Sequence, residues 1–255
     1  MADVYRAVDL EGGEPVALKV MKKSLSGDPS IKQRFAREAD VQAKLRHPSI
    51  AALHATGVTE YDEPYLVVEL LRGKTLRHLL KTDGKLDPRK ATSYAWQALQ
   101  GLAVVHKGGV LHRDLKPANI MLEPSPGPVD RVVLIDFGFA TLEGASRLTQ
   151  QGTIVGSLTY IAPERLRGEL PDRRSDLYAI GTILYEMLNG APPFTAPREL
   201  DLVELQLEAE PPPLPDSIPD ALRAVVENAL AKHPTERYFD AAAMAHALEE
   251  AAQAL

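Results

Sequence analysis

No cysteine occurs among the 255 residues, which excludes disulfides and thiolate metal sites. No apolar run approaches the ~18 residues that crossing a bilayer requires. The N-terminus lacks the basic-then-apolar pattern of a signal peptide, so the expected location is the cytoplasm, with no membrane partner for this chain. Basic residues are not in excess. Lys and Arg number 29 against 35 Asp and Glu, a net charge of −6, which gives nucleic acid no electrostatic footprint to recognise. No internal repeat is present. What remains is 45% apolar and 25% charged, the balance of a globular protein with length for one large domain or two lobes.

The residues able to carry chemistry concentrate in His112-Arg113-Asp114-Leu115-Lys116-Pro117-Ala118-Asn119. Val110 and Leu111 lead in, and Ile120, Met121 and Leu122 lead out, so the pattern predicts a short loop between two apolar strands. Further on, Ile135-Asp136-Phe137-Gly138 predicts a strand that ends in a carboxylate and a glycine. An acid, a base and an amide in one loop, with a second carboxylate downstream, suit phosphoryl transfer. Asp114 is placed to orient a hydroxyl and accept its proton, Lys116 to offset charge on the moving phosphate, and Asn119 with Asp136 to hold magnesium.

The loop resembles the catalytic loop of the protein kinases, and the chain is similar to the eukaryotic-like serine/threonine kinases of bacteria. The resemblance implies an α+β, bilobal kinase-like fold: a small β-rich lobe over residues 1–71 and a larger helical lobe over 72–255. It implies ATP and Mg2+ as cofactors and proteins with Ser or Thr acceptors as partners. It also admits a homodimer in which one copy phosphorylates the activation loop of the other. Lys116 beside Asp114 favours serine and threonine over tyrosine, by the same resemblance.

Along the first lobe, residues 4–10 alternate as a strand, Gly12-Gly13 turns, and Val16-Ala17-Leu18-Lys19-Val20 forms the second strand of a hairpin. Asp28 caps the following helix and Pro29 suits its first position. Ile31, Phe35, Glu38, Gln42 and Leu45 then share one face. A carboxylate on that inward stripe needs a cationic partner, and Lys19–Glu38 is the expected pair, which the resemblance assigns to the α- and β-phosphates of ATP. Two further strands follow at 55–60 and 65–71. The resemblance makes Glu69-Leu70-Leu71 the hinge that bonds adenine, Val68 the residue guarding the back of the pocket, and Ala17 and Val4 part of its lining.

In the second lobe, Asp87-Pro88 starts a helix with an apolar stripe (Ala91, Tyr94, Ala95, Ala98, Leu102, Val105) that Gly108-Gly109 stops. Residues 124–128 read as a turn-rich hairpin loop. From Asp136 to Ala162-Pro163-Glu164 periodicity is weak, and a loop of that length is functional or disordered. By resemblance it is an activation segment. Thr141, Ser146, Thr149, Thr153, Ser157 and Thr159 are its hydroxyls. Thr153 and then Thr149 are the favoured switch sites, with Arg113 pairing the added phosphate. Asp176 opens an apolar helix as its cap, and by resemblance also bonds the catalytic-loop backbone. Pro234-Thr235-Glu236-Arg237-Tyr238 resembles the family's late arginine motif, which implies that Arg237 pairs with Glu164, at a cost of roughly 3–5 kcal/mol on removing one partner if buried. Residues 211–215 form a proline-rich connector, and the last helix starts at Phe239.

The start departs from the pattern. Met1-Ala2-Asp3-Val4-Tyr5 aligns with the tail of the family's glycine-rich loop, with Ala2 at its last glycine, so the expectation is a chain begun inside that loop. Losing those backbone donors, each worth roughly 1.5–3 kcal/mol to an anion, weakens ATP binding and leaves the first strand at a sheet edge. The alternative is a pseudokinase scaffold that binds partners without efficient catalysis. A small-molecule phosphotransferase is a third reading, against which Arg113, Lys116 and the Ala-Pro-Glu motif stand.

Overall fold

The computed structural model describes residues 2–127, 129–136 and 155–255, apart from the side chains of Arg34, Glu38, Val155 and Ser157. Phe137, Gly138, Thr141, Ser146, Thr149 and Thr153 lie outside the described residues, as does the Ser157 side chain.

Strands β1 (Ala2–Val8) and β2 (Pro15–Met21) form the expected hairpin. A short α1 (Lys23–Ser26) precedes α2 (Pro29–Gln42), where the Asp28 carboxylate accepts from Ser30 and Ile31 N–H, as the Asp-Pro signal implies. Strands β3 (Leu53–Val58) and β4 (Pro64–Glu69) complete a four-stranded antiparallel sheet in the order β1-β2-β4-β3. β1 pairs only with β2 among the described residues, so it is an edge. Phe35 and Ala39 of α2 bury against Met21, Leu53 and Leu66 of the sheet, the small core of this lobe.

Crossing to the second lobe, β5 (Lys74–Thr75) leads into α3 (Leu76–Asp83), which the apolar spacing above does not single out. The long α4 (Pro88–Lys107) runs from the Asp87 cap to Gly108, with its whole predicted stripe buried. Next come β6 (Ile120–Glu123) and β7 (Arg131–Leu134), which pair as a hairpin joined to β5. The expected strand at Val110-Leu111 is absent: Val110 N–H still bonds Val105 O at the end of α4, and neither residue pairs with a strand among the described residues.

After α5 (Pro163–Leu166) comes α6 (Arg173–Asn189), mostly apolar and buried through Ser175–Leu188, as a helix surrounded by others must be. Gly190 ends it at φ 88°, a left-handed conformation that suits glycine. Its cap is Asp172, not Asp176. The Asp172 carboxylate accepts from Arg174 N–H at 2.7 Å, and Asp176 lies inside the first turn. Helices α7 (Glu199–Glu208), α8 (Asp220–Ala229) and α9 (Ala241–Ala252) close the lobe around α6 and α4. Burying each large side chain such as Leu177, Ile180 or Leu184 contributes about 1.5–3 kcal/mol. The result is a rigid floor under the loop that carries the chemistry.

Candidate active site

Asp176 anchors that loop. Its Oδ2 accepts from His112 N–H and its Oδ1 from Arg113 N–H, each at 2.9 Å, and His106 Nε2 of α4 lies 2.9 Å from Oδ2. Burial alone would raise the Asp176 carboxyl. The bond and charge of His106, with the His112 charge and the Arg113 N–H, outweigh it and hold the group below its ordinary value. From the other side, Arg165 Nη1 donates to Arg113 O at 2.6 Å. So held, Arg113 adopts φ 65°, a left-handed conformation that costs a non-glycine residue free energy and turns the next side chain into the cleft.

That side chain is Asp114. Lys116 Nζ donates to both its oxygens, at 2.9 and 2.8 Å, and Asn119 Nδ2 donates to Asp114 O at 2.8 Å and Oδ2 at 2.9 Å. Three of the predicted residues thus form one hydrogen-bonded group. Asp136 joins through the hairpin, because Ile135 N–H bonds Asn119 O at 3.0 Å where β6 and β7 meet. Asp136 also takes a left-handed φ, 53°. From the sheet above, Lys19 Nζ donates to Asp136 Oδ1 at 2.8 Å, which ties the two lobes across the cleft. The Glu38 side chain, the expected partner of Lys19, lies outside the described residues.

Register places the rest of the proposed lining. Val4 faces Lys19, and Ala17 faces Val68, so these side chains share one face of the sheet. Ala17 is buried, Val68 packs against the small core, Val4 is exposed and Leu71 half-buried. Glu69 ends β4, with its carboxylate turned to Arg131 rather than into the cleft.

The donors suit a hard divalent cation. Asn119 spends its amide nitrogen on Asp114, so its oxygen is the atom left for a metal, and the Asp136 carboxylate, one residue past the Ile135 N–H that bonds Asn119 O, is exposed. Among the described residues no cluster of three or more acidic or imidazole groups could cage a metal alone. Magnesium bound through one or two protein oxygens, with waters and phosphates completing the shell, needs no such cluster.

Beneath the site, Arg237 meets Glu164 through two 2.8 Å bonds, and Ser175 Oγ adds one of 2.6 Å. Burial would raise the Glu164 carboxyl, but the Arg237 bonds and charge and the Ser175 bond bring it below its usual range. Several partners carry no local signal. Arg165 and His106 brace the loop, and burial together with the Arg165 charge lowers the Arg113 guanidinium. Arg77 of α3 bonds both Tyr160 Oη and Glu186, and Tyr160 donates to Glu186 at 2.6 Å. Glu186 did offer a signal: a carboxylate within the apolar run of α6 requires a cation.

A small sheet lobe over a helical lobe, with an Asp-Lys-Asn loop and a second aspartate at the cleft between them, is the architecture of a kinase-type domain. The protein kinase domain family matches residues 1–248, so the chain belongs to that family. Its relatives include a probable serine/threonine-protein kinase of Corynebacterium efficiens, 38% identical over 98% of this chain, and serine/threonine-protein kinase PknB of Mycobacterium leprae, 39% identical over 96%. In this domain the chain is similar to the bacterial proteins that carry those names. The chain spans 39% and 40% of the length of those two relatives. The Mycobacterium tuberculosis PknI kinase domain superposes with a TM-score of 0.74 at 26% identity, over 99% of this chain and 91% of that one.

Proposed function

We propose that this chain is a kinase domain, residues 1–71 and 72–255 forming its two lobes, that transfers the γ-phosphate of ATP to serine or threonine hydroxyls of proteins. The observation that carries this is the Asp114–Lys116–Asn119 group joined to Asp136 and Lys19 across one cleft. Asp114 orients the acceptor hydroxyl and takes its proton, while Lys116 moves from Asp114 to the transferring phosphate. Asn119 and Asp136 would hold magnesium, which would supply positive charge against the negative phosphates. Lys19, with Glu38, positions the inner phosphates. Val4, Ala17, Val68 and the Glu69–Leu71 backbone receive the adenine.

Burial and the nearby Arg165 charge both disfavour the charged Arg113 guanidinium, and Arg113 Nε is buried with no hydrogen-bond partner among the described residues. That supports a regulatory reading in which a phosphate on Thr153 or Thr149 would pair with Arg113 and Arg165 and order the segment. Autophosphorylation between two copies, in the cytoplasm, completes the proposal.

The test is incubation with γ-labelled ATP, magnesium and a protein acceptor. The expected result is label on Ser or Thr, reduced by about 10²–10⁴-fold in Asp114→Asn, the range for loss of a general base. No incorporation by the unaltered chain, with partners still bound, would instead make it a scaffold. Label that Asp114→Asn leaves unchanged would remove the mechanism.

A further inference from the structure

The segment joining the lobes is bracketed by one side chain that the chemistry above does not use. Arg131, first residue of β7, donates through Nε to Pro48 O at 2.8 Å. Its Nη1 reaches Glu69 Oε1 at 2.7 Å and Glu123 Oε2 at 2.8 Å, and its Nη2 reaches Glu69 Oε2 at 3.1 Å. Pro48 lies in the connection between α2 and β3, Glu69 ends β4, and Glu123 ends β6. One guanidinium therefore holds three pieces of chain from both lobes, with the bidentate geometry only arginine offers.

Both carboxylates pass the restraint on to backbone. Glu69 Oε2 accepts from Ala52 N–H at 3.3 Å, and Glu69 N–H bonds Ala52 O at 2.8 Å. Glu123 Oε1 accepts from Arg72 N–H at 3.0 Å. The connector is thus fixed at its entry, Glu69, and at its exit, Arg72, by acids that share Arg131. The next residue seals the exit: a Cβ on Gly73 would lie 2.0 Å from Leu122 O, so the chain there is pressed onto β6. The titration is consistent, with the Arg131 guanidinium raised by its Glu69 bonds and the Glu69 carboxyl below its usual range, because the Arg131 and Ala52 bonds outweigh burial.

We infer that Arg131 is a positioning residue, which clamps the Glu69–Arg72 connector so that its backbone is preset to receive the nucleotide base. The clamp rests on the kinase reading only for what the connector receives. In Arg131→Met the two carboxylates lose their shared cation, repel each other and turn to water. Ala52 and Arg72 then lose their acceptors.

Amide hydrogen exchange without nucleotide tests this directly. Exchange at Ala52 and Arg72 should rise at least about tenfold in Arg131→Met, the scale of losing a charge-assisted bond, while amides in the β1–β2 ladder and in α6 keep their rates. Arg131→Lys, one point charge for three partners, should fall between. Titration with ADP and magnesium, at a temperature where both proteins are folded, should show binding about tenfold weaker in Arg131→Met. Unchanged exchange at both amides would overturn the clamp, and so would a uniform rise across both lobes, the mark of plain destabilisation. If the unaltered chain bound no ADP yet showed the local exchange effect, the kinase reading would fail and the clamp would stand.

Discussion

Arg237–Glu164 and Lys19–Asp136 are ion pairs of the same length, 2.8 Å, in regions with opposite demands. The first lies under the helical lobe with side chains 0% and 3% exposed, and its guanidinium is satisfied further by the carbonyls of Ala231, Lys232 and Arg174. The second spans the cleft at 18% and 49% exposure. A buried pair that is fully hydrogen-bonded fixes a geometry, and breaking it strands a charge. A pair open to water contributes little to stability and can be exchanged for a ligand. Distance alone does not separate structure from function; solvent access does.

The largest effect expected from breaking this contrast is at Glu164. Glu164→Ala leaves Arg237 buried and uncompensated and should cost roughly 3–5 kcal/mol in denaturant unfolding. A loss below about 1 kcal/mol would put this pair in the class of surface bridges. Acid sharpens the same point. Glu164 and Asp176 titrate lower folded than unfolded, where Glu and Asp sit near ~4.3 and ~3.9. Their stabilisation is therefore complete above about pH 5 and is lost as pH falls through the folded values. Stability should drop on acidification below about pH 5. In Glu164→Gln the slope should be shallower by up to ~1.4 kcal/mol per pH unit, one proton's worth; identical slopes would mean Glu164 is not the group titrating.

Lys19→Met tests the open pair and should invert the pattern. Turnover of ATP should fall by about 10²–10³-fold, the scale for removing one preorganised donor from a developing charge. Unfolding free energy should stay within about 1 kcal/mol of the parent. Stability and turnover falling together by similar factors would make Lys19 a structural residue.

What was legible in the sequence follows a related division. Asp28-Pro29 and Asp87-Pro88 announce helices because cap and first turn are local, and both helices begin there. The Asp114–Asn119 loop is legible for the same reason: its members lie close in the chain and bond one another. Glu164 and Arg237 meet across the lobe, and only the family pattern pairs them. Arg131, Arg77 and His106 had no such guide, because each finds its partner through the tertiary fold among many acids of equal local plausibility. The lead-in to the catalytic loop read as a strand because Val110 and Leu111 are apolar, but pairing needs a neighbouring edge that no local pattern supplies.

Asp176 shows why a correct residue can be given the wrong local part. The apolar run of α6 starts at Leu177, so the nearest preceding aspartate looks like its cap, yet the helix begins a turn earlier. Arg173 and Arg174 can occupy that turn because each has somewhere to go: Arg173 stacks 3.9 Å from the Phe239 ring, and Arg174 O accepts from Arg237. The cap is then Asp172, its side chain 54% exposed. Asp172→Ala should cost about 1 kcal/mol, the typical value for a lost N-cap, and leave turnover as it was. Among the described residues its carboxylate bonds only the first turn, whereas Asp176 reaches the loop backbone. A fall in turnover greater than the loss of folded protein would mean that the start of α6, and not Asp176 alone, holds the catalytic loop in place.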